Sequence, residues 1–134
     1  MNRESSPVAP HLNAHFLVDL GDGNADAQAS GFCEVVFPEF HHDASQAERR
    51  LILRRGATGA LDLYTWWDEA RRDGALRPRT LIVSLMTPDL ARPVMTWTFH
   101  GARPIALSYG PLNALHASVL LESVEIEFDR FEMR

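Results

Sequence analysis

Alternation of apolar and polar positions, the signature of a strand with one face against a core, recurs along most of this chain. Its cleanest run lies near the C-terminus. There Leu120, Glu122, Val124, Ile126 and Phe128 fall on one side, and Leu121, Ser123, Glu125, Glu127 and Asp129 on the other. The first side is apolar and the second strongly acidic, which predicts a half-buried strand whose carboxylates meet water. Shorter strands are predicted over residues 16–20, 30–37, 51–53, 81–85, 94–99 and 104–109. Turn residues from Gly21 to Asn24 end the first, Pro38 the second and Gly56 the third, while Pro88-Asp89 turns the chain before the fifth. Residues 40–48 are polar and without a period, and predict a long loop.

One segment departs from this rhythm. Leu63, Trp66, Trp67 and Ala70 stand at i, i+3, i+4 and i+7, a single apolar stripe on a helix. Asp62, Glu69, Arg71, Arg72 and Asp73 fall on the solvent side. Asp62 in the first turn and the two arginines in the last suit the helix dipole, and Gly74 is the natural stop. Two adjacent tryptophans on so short a helix predict a plug for a β core, in preference to an exposed platform for a ligand. The fold class expected is therefore mainly β: an antiparallel barrel or sandwich with one packed helix. Its core is expected from Leu63, Trp66, Trp67, Trp97, Phe99, Val124, Ile126 and Phe128. Residues 1–12 are polar with two prolines, so 1–13 is expected to be a flexible arm and 14–134 a single domain.

Composition narrows the picture. A chain of 134 residues, 46% hydrophobic, suits one globular domain. No apolar run approaches the ~20 residues of a membrane span, so membrane insertion is not expected. The first fifteen residues hold no continuous apolar stretch of the kind a secretory signal needs. The single cysteine, Cys33, has no partner for an internal disulfide and, inside an apolar strand, is expected to behave as a small hydrophobe. All 13 basic residues are arginine, against 18 carboxylates, for a net charge of -5. Tight binding of nucleic acid to an outer surface needs a basic stripe, and the short clusters here do not make one.

Candidate chemistry is sparse. His11 and His15 stand four apart and His41, His42 and Asp43 adjoin, but they fall in the expected arm and loop, without a His-Glu-x-x-His pattern. Gly21-Asp22-Gly23 lacks the rest of a phosphate loop. Ser108 and Ser118 have no nucleophile-elbow context, and Glu125 with Glu127 reads as a charged strand face rather than an acid–base pair. The expectation is a non-enzymatic protein without metal or cofactor.

The order of landmarks carries more. Leu51-Ile52-Leu53-Arg54-Arg55-Gly56 leads to Leu63 and the Trp66-Trp67 helix. Pro93 through Phe99 then precedes Ala102-Arg103-Pro104. Leu112-Asn113-Ala114 and the closing strand with Glu122 and Glu125 follow. Together with Phe16-Leu17-Val18 and Gly31-Phe32-Cys33-Glu34-Val35, this series resembles the phage T4-like tail tube protein family, shared with extracellular contractile injection systems, over roughly residues 14–132. Two departures stand out: His100-Gly101 before Ala102-Arg103-Pro104, and Val36-Phe37-Pro38 where a small residue and a Gly-Leu pair are usual.

The resemblance implies an Hcp-like tail-tube fold. It implies hexameric rings stacked into a hollow tube inside a contractile sheath, with baseplate and cap proteins as partners and DNA or protein effectors as cargo. It also implies assembly in the cytoplasm into a phage tail or tail-like particle. Within that frame Glu125, Glu127 and Asp129 are expected to line the lumen, where like charge would keep cargo off the wall. Ring stacking and inter-subunit contact are expected from Phe40, His41, His42, Asp43, Glu48, Arg49 and Arg50, with Arg54 and Arg55 beside Gly56. The alternatives are a tube initiator or terminator, an Hcp-like secreted ring carrying effectors and, from another class, a small-molecule-binding β-barrel.

Overall fold

Strand alternation does build the molecule. The computed structural model describes residues 9–23, 31–43, 48–73 and 77–134. Among them the order is β1 (Phe16–Asp19), β2 (Phe32–Val36), β3 (Arg50–Gly56), α1 (Asp62–Asp73), β4 (Arg79–Met86), β5 (Pro93–Tyr109), β6 (Leu121–Glu127) and β7 (Arg130–Met133). Residues 1–8 of the expected arm, the turn at Asn24, the strand start at Ser30, the loop centre at 44–47 and the stop at Gly74 lie outside the described residues.

Every pairing is antiparallel, and the strands run in the order β1-β4-β5-β6-β3-β2, with β7 added beside β5. Strand β5 unites the two halves. Its first part pairs with β4 and β7, from Trp97 opposite Val83 and Met133 to Phe99 opposite Leu81 and Phe131. Its second part pairs with β6, from Arg103 opposite Glu127 to Tyr109 opposite Glu122. The sequence predicts two strands here, 94–99 and 104–109. The chain instead bends at Gly101, whose φ of 70° suits glycine, and bulges between Pro104 and Ala106 where proline cannot donate to the ladder. The result is sandwich-like: a sheet folded over along β5, whose end strands β1 and β2 do not pair with each other.

The core lies inside that fold. Leu51 and Leu53 from β3, Val124 and Ile126 from β6, Leu81 and Val83 from β4, Phe99 from β5 and Phe128 are all buried, as are Leu63 and Trp66 from α1. Each such side chain contributes about 1.5–3 kcal/mol relative to remaining in water. Phe128 and Phe131 pack around Phe99, with Phe99 and Phe128 edge to face at 4.8 Å between ring centres.

Three expectations need correction. Trp67 is only half-buried: its ring lies beside Tyr64 and under the Arg71 guanidinium at the helix surface, so one tryptophan plugs the core and the other does not. Trp97 too is half-buried, its face taken by Phe37 at 4.8 Å. Cys33 is exposed rather than buried, because the register of β2 against β3 shifts between Phe32 and Glu34 and turns it out of the core. Strand β7 is absent from the sequence reading. The alternation runs on through Phe128 and Asp129 without marking a turn, and the strand that follows has only four residues.

Candidate functional site

The outward wall of β3, β6 and the second part of β5 is where the expected lumen residues stand. Alternation turns Leu51, Leu53, Val124 and Ile126 inward, and therefore Arg50, Ile52, Arg54, Ser123, Glu125 and Glu127 outward. Register then places opposite charges beside one another. Arg103, opposite Glu127, donates to its Oε1 at 2.7 Å and to Asp129 Oδ1 at 2.9 Å. Arg50 lies 3.7 Å from Glu125, and Arg54 donates to Glu34 at 2.6 Å across β2–β3. Hydrogen bonds to Asp129 and then Glu127 hold the Arg103 guanidinium above its ordinary pKa, so it stays charged. Glu125, Glu127 and Asp129 thus form no bare acidic stripe. They belong to a checkerboard in which each carboxylate has an arginine within 4 Å. Arg103, read in the sequence only as part of a motif, is the residue that reasoning missed. Its role depends on a strand register that no sequence spacing states.

The expected stacking residues adjoin this wall. Glu48, Arg49 and Arg50 share a concavity of about 800 Å³ with Phe37, Ile52, Glu125 and Glu127. Phe40, His41 and His42 lie over the turn from β6 to β7, lining a smaller hollow with Asp129 and Arg130. Phe40 is held from within the chain, stacked on Phe131 at 3.9 Å between ring centres, and the Phe128 N–H donates to the Arg49 carbonyl at 2.9 Å. Asp43 is exposed in the same loop. Two regions that the sequence reading separates are therefore one continuous surface.

Arg55 alone of the expected surface arginines turns inward. It follows from alternation: in β3, Leu51, Leu53 and Arg55 share the core face. Its Nε donates to Glu122 Oε1 at 2.6 Å, and its terminal nitrogens bond both carboxylate oxygens of Asp62 at the start of α1. Arg55 and Glu122 side chains are each only 6% exposed. Burial pulls the Arg55 pKa down, but its hydrogen bonds to Asp62 and Glu122, together with the attraction of their charges, outweigh it and the net shift is upward. The hydrogen bond from Arg55 holds the Asp62 carboxyl below its ordinary value. Burial, and then a hydrogen bond to Glu122, raise the Tyr109 hydroxyl. The triad ties the helix to β3 and β6 within one subunit.

At the end of the molecule near this triad, the segment from 110 to 120 carries Leu112, Leu115 and Val119 at 87%, 92% and 75% exposure. It is nonetheless shaped. Leu115 N–H donates to Asn113 Oδ1, Gly110 N–H to the Leu121 carbonyl and Ala57 N–H to the Leu120 carbonyl. The sequence signal was present: residues 110–120 contain no Asp, Glu, Lys or Arg in a chain that is 23% charged. An ordered apolar loop left in water is the mark of a surface awaiting a partner.

Among the described residues no three His, Cys, Asp or Glu side chains gather as metal ligands, and no helix is long and apolar enough to cross a membrane. Comparison with known proteins then bears on what these surfaces serve. The family model for the T4-like virus tail tube protein gp19 matches residues 34–132. No match emerges among curated protein sequences. Among solved structures, the fold is similar to a chain of the sheath/tube terminator of an extracellular contractile injection system, PVC (TM-score 0.77, 19% identity, covering 96% of this chain and 99% of that one). It is also similar to a chain of the PVC sheath–tube complex in its extended state (TM-score 0.73, 19% identity, 93% and 91%). A third likeness is to Hcp1 from Flavobacterium johnsoniae (TM-score 0.60, 12% identity, 89% and 94%).

Proposed function

The chain belongs to the T4-like virus tail tube protein family, and on that premise we propose that it is the inner tube subunit of a contractile tail or injection particle. It forms hexameric rings that stack into a tube, within a contractile sheath and between baseplate and cap. Membership in this family makes it a structural protein rather than an enzyme. The observation that carries the assembly reading is the incomplete sheet. Among the described residues, strands β1 and β2 end the order with one partner each and do not pair with each other, and exposed strand edges are satisfied when neighbouring copies add to them. Head-to-tail contacts of this kind close into rings, and contacts between rings that do not close extend into a filament.

The charge-paired wall of β3, β6 and β5 lines the lumen in this reading, presenting cargo with alternating charges instead of a single sign. Ring stacking falls to the surface that adjoins it, from Phe40 to Arg50. The test is electron microscopy of the purified protein at low and moderate salt. Uniform rings or hollow tubes are expected. Removing residues 41–48 should leave a subunit with unchanged circular dichroism that no longer stacks, and normal tubes from that deletion would remove the loop from the mechanism. A second reading, a terminator at one end of the tube, has the likeness to the PVC terminator behind it. The two part on stoichiometry: a bulk subunit is present in many rings per particle and a terminator in one.

A further inference from the structure

The open seam of the sheet and the apolar loop described above complement one another. Between β1 and β4 on one side and β2 on the other, the sandwich leaves a cleft of about 450 Å³, lined by the apolar Phe16, Leu85, Val35, Phe37 and Trp97 with His11, Asn13 and Glu34 among them. In the order β1-β4-β5-β6-β3-β2 this cleft lies between the two ends, whereas the loop of residues 110–120 joins the middle pair, β5 and β6. The apolar knob and the apolar slot are therefore separate patches of one subunit, built from different elements. A patch that fits a different patch of its own molecule generates a head-to-tail contact, which closes into a ring when the rotation between copies allows it.

Resting on the tube reading, we propose that Leu112 and Leu115 of one copy seat in the β1–β2 cleft of the next copy around the ring. The occupant is a second copy of this chain because each copy carries both halves and their character matches. The loop has no charged residue. The one charged residue lining the cleft, Glu34, already receives a hydrogen bond from Arg54 at 2.6 Å. Joining them buries apolar surface without desolvating an unpaired charge, as the centre of a stable interface requires. The loop is also held in shape by its own backbone bonds and the Asn113 side chain, so little ordering opposes docking.

Cys33 supplies the probe, since it is exposed, lines the cleft and is the sole cysteine. A Leu115→Cys variant, assembled and then treated with a mild thiol oxidant, should give a ladder of covalent multimers on non-reducing gels. The ladder should vanish when Cys33→Ser is added. Ala114→Cys, which keeps both leucines, repeats the test if Leu115→Cys weakens assembly. Rings or tubes that form without a ladder, or with one that survives Cys33→Ser, overturn the loop-to-cleft contact and leave the tube reading standing. A protein that forms neither ring nor tube under any condition, and does not cross-link, overturns both. Leu112→Ser with Leu115→Ser should lower the assembled fraction at least tenfold with unchanged melting of the subunit. Undiminished assembly would likewise overturn the contact.

Discussion

Two arginines in this protein each bridge two carboxylates, one of them on the neighbouring strand, and they differ most in their exposure to water. Arg55 holds Glu122 and Asp62 with its side chain 6% exposed, while Arg103 holds Glu127 and Asp129 at 36% exposed. Both come from cross-strand register, Arg55 opposite Glu122 on β3–β6 and Arg103 opposite Glu127 on β5–β6. Desolvation makes the buried bridge obligatory: once inside, each charge needs the other. The wet bridge is optional for folding, and its value lies in setting the charge of a face.

The sharpest way to break that comparison is to remove one buried partner. Arg55→Met should destabilise the subunit by about 3–5 kcal/mol, because Glu122 is left charged in the core. Chemical denaturation measures it. The double variant Arg55→Met with Glu122→Leu should recover most of that loss, since an apolar pair of similar volume replaces the ions. A double variant as unstable as the single would mean that the triad supports packing rather than mutual charge neutralisation. Gly101→Ala should come next. A positive φ costs an L-residue about 1–2 kcal/mol, and the added Cβ would collide with the Asp129 carboxylate, pushing it off Arg103. Melting temperature and the loss of the bend in β5 would report it.

Acid distinguishes the two bridges more gently. Arg55 holds the Asp62 carboxyl below its ordinary value. The stability this linkage contributes is therefore present above the ordinary carboxylate pKa and is lost as pH falls below it, through the lowered folded value. Wild type should lose stability on that acid limb, and Asp62→Asn should be less stable near neutrality but flatter across it. Urea midpoints measured at successive pH values settle the sign. An Asp62→Asn slope equal to wild type would remove Asp62 from the acid response.

How much of this was legible beforehand depended on whether the physics was local. Alternation in β6 placed Glu122 with Val124 and Ile126, and the i, i+3, i+4 stripe placed Leu63 and Trp66 inward, because both patterns lie within one element. What alternation cannot state is which strand lies opposite. Glu122 on the apolar side had no visible counter-ion, and Arg55 was assigned to the surface with Arg54 despite sharing the parity of Leu51 and Leu53. Arg103 lay beyond reach for the same reason. Residues 100–103 read as a gap between two strands, and the local preferences of Gly101 and Pro104 do not favour one continuous strand. Tertiary pairing on both sides of β5 overrode them and kept the bend and the bulge as the marks of that conflict. The apolar loop at 110–120 carries a plain local signal, its lack of charge, but that signal does not say which surface covers it.

The smallest expected change is at the wet bridge, and it sharpens the contrast most. Arg103→Gln should alter subunit stability by less than about 1 kcal/mol, because exposed pairs exchange protein contacts for water at little net gain. Yet it would leave Glu127 and Asp129 without their arginine and make the wall more negative by one charge in each copy. In the proposed ring, symmetry would multiply a local change of one charge around the whole bore, and like charge repels an anionic chain more than it does a neutral or cationic one. If this wall lines the tube, assembly should proceed as in wild type. Passage of a polyanionic cargo should slow while that of a cationic protein does not, an effect largest at low ionic strength, where screening is weakest. Equal slowing of both cargoes would show that the arginine shapes the wall sterically. No change for either would place this face away from the bore, and the charge pairing would then serve the proposed stacking surface that adjoins it, where Arg50 and Glu125 share a concavity with Glu48 and Arg49.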